Sequence, residues 1–289
     1  VQSIGLLNHD IKVSVFQNNK LLTQQIRNSG NKSLLGFDFQ LDAVEKGLQQ
    51  ISVVVEPHAL EANKRNNRSS AFIEVVEGKK KILVIAPAPH PDLKALRSVV
   101  EKNSNYEFIL HIPGVQEVES SLLQPGKADL IIFHEVLDKQ RKTSALYAKL
   151  SKGPSSLLTI ITGGTDLRSL SANGLPLIFE NTAQRDEVTP VINPLFRNFG
   201  FAENVSNSIS NYPPVTVPFG KFSFPSSASV LLYQRIGNVT TDRPLILTYD
   251  DNGRKTGVII SDGVWRWRLN EFLESEKTIA FDEVFSKLI

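Results

Sequence analysis

The residues best suited to chemistry sit in a few short strings. Ile160-Ile161-Thr162-Gly163-Gly164-Thr165-Asp166 closes an apolar run on two glycines. A threonine hydroxyl there becomes nucleophilic only beside a base, and the backbone N–H groups of Gly163 and Gly164 could receive an anion or carboxylate. His134-Glu135 closes a second apolar run, and His90 with Asp92 follows a third. An imidazole beside a carboxylate suits proton transfer or metal ligation. Two absences weigh against catalysis. The chain has no cysteine, and its histidines (His9, His58, His90, His111, His134) all precede the glycine turn. Thr162 and Thr165 therefore have no later histidine to activate them, and no G-x-S-x-G string is present. One adjacent His-Glu pair falls short of the three convergent ligands a metal site needs. No catalytic residue, metal or cofactor is expected. His134, Glu135, Thr162, Gly163, Gly164, Thr165 and Asp166 are kept as candidate ligand-binding residues. The plain alternative is a tight turn beside polar strand ends.

Trp265-Arg266-Trp267-Arg268 contains both tryptophans of the chain. Stacking and cation–π contacts could recognise nucleic acid or a glycan. On a strand the rings would share one face and the guanidinium groups the other; on a helix the rings would diverge by about 200°. A net charge of +2 argues against nucleic acid. These four residues are candidates for structural anchoring or surface recognition.

At 289 residues, with 41% hydrophobic and 21% charged content, the chain can bury a sizeable core. Lys79-Lys80-Lys81 reads as a solvated lead into a strand. Lack of cysteine removes disulfides and thiol chemistry and fits an oxidising compartment. Methionine is also absent, as expected of an excised or processed piece, or of a sequence from which modified methionines were dropped. No apolar run reaches the ~20 residues that span a bilayer, so any anchoring is expected to come from regions outside this chain.

Two segments differ in pattern. Residues 1–78 alternate with period two in Ile11–Phe16, Lys20–Ile26, Leu35–Leu41, Ile51–Val55 and Ala71–Val76, separated by turn residues such as Gln17-Asn18-Asn19 and Asn28-Ser29-Gly30-Asn31. Short strands without a helix predict an antiparallel sandwich. The loop Glu61-Ala62-Asn63-Lys64-Arg65-Asn66-Asn67 resembles that of immunoglobulin-like adhesion modules of the CARDB type. Asparagines there satisfy loop backbone; one acidic residue among amides and two cations makes a poor calcium cage.

From residue 79 onward, continuous apolar runs alternate with helical spacing. Lys81–Ala86, Tyr106–Ile112, Asp129–His134 and Leu157–Thr162 read as buried parallel strands, with helices over Pro91–Val100 and about Thr143–Leu150. Residues 171–228 lack periodicity and predict an irregular insertion over the sheet. Val230–Arg235, Pro244–Tyr249 and Lys255–Ile260 return to strand pattern around an Asp250-Asp251-Asn252-Gly253 turn, and a helix runs from about Phe281. Residues 79–289 resemble the class I glutamine amidotransferase-like family, which implies a flavodoxin-like parallel-sheet domain, α/β, after an all-β immunoglobulin-like β-sandwich. Its cysteine and late histidine are missing. The Trp-Arg-Trp-Arg string and the Tyr212-Pro213-Pro214 stretch resemble large cell-envelope proteins of Bacteroidetes-type bacteria. That resemblance implies a non-catalytic, extracytoplasmic binding or scaffolding segment of a membrane-anchored protein, with an unknown protein or glycan partner in the cell envelope. The alternative is a hydrolase using His134, Glu135 and Asp166 with a bound metal.

Overall fold

A computed structural model describes residues 1, 8–31, 34–41, 46–59, 61, 63–75, 78–180, 184–220 and 222–289. Ala62 of the asparagine-rich loop, Val76 and the linker residue Glu77 lie outside them. The chain divides into two compact units, Val1–Gly78 and Lys79–Ile289.

The first unit holds β1 (Asp10–Gln17), β2 (Lys20–Asn28), β3 (Gly47–Val55) and β4 (Arg68–Val75), all antiparallel, in the order β2-β1-β3-β4. Asn18 and Asn19 take φ of 47° and 69°, the left-handed pair that a two-residue hairpin needs. Alternation buries Ile11, Val13 and Val15. The expected immunoglobulin-like sandwich is not formed: among the described residues there is a single four-stranded sheet with no second sheet facing it. Leu35–Leu41, the cleanest alternation, is not a strand. Its carbonyls at Gly36 and Asp38 accept hydrogen bonds from the Arg27 and Gln25 side chains, and Arg27 covers the Phe37 ring. Side-chain donors occupy the carbonyls that a neighbouring backbone would have used.

The second unit contains β5 (Lys80–Ile85), α1 (Pro91–Val100), β6 (Tyr106–His111), β7 (Leu130–His134), α2 (Ser144–Leu150) and β8 (Ser156–Ile161). These are followed by β9 (Ile178–Phe179), β10 (Arg185–Ile192), α3 (Glu203–Ser210), β11 (Val215–Pro218) and β12 (Phe222–Ser223). Then come β13 (Ser229–Ile236), β14 (Val239–Asp251), β15 (Arg254–Ile260), α4 (Trp265–Ser275) and α5 (Ile279–Leu288). The main sheet has nine strands in the order β11-β10-β13-β14-β15-β8-β7-β5-β6. The expected flavodoxin-like parallel sheet is thereby corrected to a mixed one. β15, β8, β7, β5 and β6 pair in parallel, while β14, β13, β10 and β11 extend the sheet antiparallel. Residues 171–228 include β10 and β11, which join the main sheet, and α3, whose Val205 and Ile209 pack in the core on one face.

The parallel strands are buried on both faces, and period two divides their side chains between two cores. Ile82, Val84, Ile132, Leu158 and Ile160 pack with α1, α3, α4 and α5 residues such as Leu96, Ile209, Trp267 and Phe281. Leu83, Ile85, Ile131, Phe133 and Ile161 pack on the other side with Tyr147 and Leu150 of α2.

Candidate functional site

The carboxyl ends of β5, β7, β8 and β15 meet at one edge of the sheet, and the turn after each contributes a polar residue. After β5, His90 is extended at the start of α1, where Pro91 occupies the first helical position and loses no hydrogen bond by lacking an N–H. Asp92 lies in the first turn, fully buried. Its Oδ1 accepts the backbone N–H of Trp265 at 2.8 Å, holding a carboxylate at the positive end of α4. Its Oδ2 lies 3.3 Å from His90 Nδ1 and 3.3 Å from His134 Nε2. His134 ends β7 and is buried; the two imidazole rings are 4.6 Å apart. His90 Nε2 is 3.4 Å from Oδ1 of Asp262, which follows β15.

Charge fixes the protonation here. Burial opposes charging of His90, but hydrogen bonds to Asp262 and Asp92 outweigh it and raise its pKa from 6.5 to about 10. Burial favours the neutral acid of Asp92, yet hydrogen bonds from His134 and His90 hold it well below the usual carboxylate range. Asp262 is lowered by His90, against its partial burial, with help from the Gly163 N–H. His90 Nδ1 is also 3.2 Å from the backbone N of Asp92. One nitrogen cannot accept from that N–H and donate to the Asp92 carboxylate together. With two carboxylates flanking it, donation from the protonated ring prevails.

The glycine turn is filled by the chain itself. Asp262 Oδ2 accepts the Gly163 N–H at 3.0 Å, and the Gly164 N–H points at Thr162 Oγ1 at 3.4 Å. The Thr162 hydroxyl donates to Glu135 Oε2. Glu135 takes φ of 56°, and its carboxylate lies where a Cβ on Gly164 would be, so a side chain at 164 would have to displace that carboxylate from Thr162. Thr165 is buried, with Oγ1 accepting from the Thr162 N–H at 3.3 Å. Lys139 Nζ and Arg185 both donate to the Gly163 carbonyl, at 3.1 and 2.9 Å.

Of the candidate residues, the structure brings His134, Glu135, Thr162, Gly163, Gly164 and Thr165 to this edge. Asp166 is separate in role: its Oδ1 accepts the Arg168 N–H at 3.2 Å. Asp262 was not singled out, although it lies just past the apolar β15 run much as His134 closes β7; that similar position was the available signal. Arg185 had no such signal, because its part was assigned by the β10 strand within the supposed insertion.

Trp265, Arg266, Trp267 and Arg268 open helix α4. Trp267 is fully buried, stacked on Tyr212 with centroids 5.1 Å apart and donating through Nε1 to the Pro213 carbonyl at 3.0 Å. Trp265 is half-buried, with Arg266 over its ring. Among the described residues neither arginine pairs with a carboxylate. A cleft of about 510 Å³, bounded by Tyr147, Tyr249, Arg254 and Thr256, lies at the opposite, amino ends of the parallel strands.

No protein-family model and no curated protein matches the chain. Among solved structures it is similar to the cytoplasmic protein STM1381 from Salmonella typhimurium LT2, at 13% identity and TM-score 0.43, over 82% of this chain and 94% of that one. It is similar to the exo-β-1,4-mannosidase Op5Man5 from Opitutaceae bacterium strain TAV5, at 10% identity and TM-score 0.44, over 74% of this chain and 36% of that one. It is also similar to Agd3, described as a novel carbohydrate deacetylase, at 11% identity and TM-score 0.39, over 64% of this chain and 29% of that one. At these scores the likenesses assign neither a family nor an activity.

Proposed function

We propose that this chain is a non-catalytic binding or scaffolding segment of an extracytoplasmic, membrane-anchored protein, with a protein or glycan of the cell envelope as its partner. The observation that carries the non-catalytic reading is the self-filled turn. Catalysis of acyl transfer needs open N–H donors for the developing oxyanion. Here the Gly163 N–H is taken by Asp262 and the Gly164 N–H by Thr162. Absence of cysteine supports an oxidising location. Among the described residues no helix is long and apolar enough to cross a membrane, so the proposed anchor belongs to other parts of the protein. The second reading, a hydrolase on His134, Glu135 and Asp166, is favoured only at His134, where ionisable groups converge. Glu135 and Asp166 are engaged elsewhere.

The test is turnover of a panel of ester, amide and glycoside substrates by the wild-type chain and by Thr162→Val. Rates equal to buffer for both proteins are expected. A wild-type activity that Thr162→Val removes would overturn the proposal.

A further inference from the structure

We infer that His90 Nδ1, Asp92 Oδ2 and His134 Nε2 form a site for a divalent transition metal of the zinc type, with Asp262 orienting His90. The three ligand atoms lie within 4.8 Å of one another. Both distances from Asp92 Oδ2 to an imidazole nitrogen are 3.3 Å. A tetrahedral centre with bonds of about 2.0–2.1 Å has ligand–ligand edges of roughly 3.3–3.4 Å, so two of the three edges already have the required length. Asp92 Oδ1 is committed to the Trp265 N–H, which leaves Oδ2 directed at the histidines. Asp262 faces the far nitrogen of His90 in the carboxylate–histidine arrangement that fixes the ring behind a metal. His134 Nδ1 is buried without a hydrogen-bond partner, so no second group orients this ring as Asp262 orients His90.

Two imidazoles and one carboxylate suit zinc, cobalt or nickel better than calcium or magnesium, which prefer oxygen ligands. Three protein ligands leave a fourth position for water or a donor atom of a bound partner. This inference goes beyond the proposed function and does not depend on it, since metal binding and substrate turnover are measured separately.

The test uses the full chain, stripped with chelator, titrated calorimetrically with Zn²⁺ and followed with Co²⁺ by visible absorption. Saturable binding of a single equivalent with a tetrahedral Co²⁺ spectrum is expected. Asp262→Asn should weaken Zn²⁺ binding about 10–100-fold, and His90→Ala should abolish it. His90 sits at the solvent edge with 23% of its side chain exposed, so this variant is the one best placed to stay folded, which a thermal melt checks. His9 and His58 form the other close pair, with ring centroids 4.9 Å apart in the first unit, and His58→Ala is the control. Absence of saturable binding, unchanged affinity in folded His90→Ala, or loss only in His58→Ala would overturn the inference.

Discussion

At the scale of single residues, His90 sets the pH response of metal-free protein. Its pKa is raised on folding from 6.5 to about 10, so the native state binds the proton more tightly than the unfolded chain. The resulting stability is fully present below about pH 6.5 and is lost as pH rises toward 10. Urea midpoints of the stripped protein should fall between pH 6.5 and 10, and His90→Gln should flatten that fall; parallel curves for the two proteins would show that another group is responsible. Gly164→Ala makes a different test, because its new Cβ must displace the Glu135 carboxylate. A loss of roughly 1–3 kcal/mol is expected by denaturant titration. The sequence made His134, Glu135 and the glycine turn legible because each ends an apolar strand. It did not show that Glu135 turns toward Thr162 while Asp92 turns inward. Those directions depend on φ at Glu135 and on a helix that lies far along the chain.

At the scale of elements, two helices begin on buried carboxylates from distant segments or neighbouring turns. Asp92 meets the start of α4. Glu271 accepts the N–H groups of Ala280 and Phe281 at the start of α5, at 2.7 and 2.9 Å, and the Tyr212 hydroxyl at 3.2 Å. Glu271→Ala would leave three buried donors unmatched and is expected to cost about 3 kcal/mol in urea denaturation, with a smaller loss for Glu271→Gln. Trp267→Ala should cost about 3–5 kcal/mol. Trp267→Phe should cost less, since it keeps an aromatic ring on Tyr212 while losing the bond to Pro213 and part of the indole's volume; equal losses would remove stacking as the main contribution. The parallel strands were readable as continuous apolar runs and α1 from its helical spacing. β10 was not, since Pro190 interrupts its pattern and a mid-strand proline argues against a paired strand. It pairs nevertheless, with Pro190 opposite Gln234 of β13. The alternation of Leu35–Leu41 misled in the opposite direction, because period two reports an extended chain and not a backbone partner.

At the scale of the whole molecule, the units differ in how much apolar surface they bury. The second has cores on both faces of its sheet, and expressed alone residues 79–289 should give a single cooperative melt. Among the described residues, the first buries only a short row of aliphatic side chains on one strand and leaves Leu48, Phe72 and Ile73 exposed. Residues 1–78 alone should therefore unfold at lower denaturant. A broad, non-cooperative melt of 79–289 would contradict this division. The bond between Asp92 and Trp265 joins residues 173 positions apart, and this separation has a consequence for biosynthesis. At about 5–20 residues per second, the ribosome completes β5, α1, β7 and β8 roughly five to twenty seconds before α4 appears. Throughout that interval both histidines exist without the helix and the Asp262 carboxylate that arrange them. Metal capture would then be a late event of translation, and nascent chains arrested before residue 262 should fail to retain the ion.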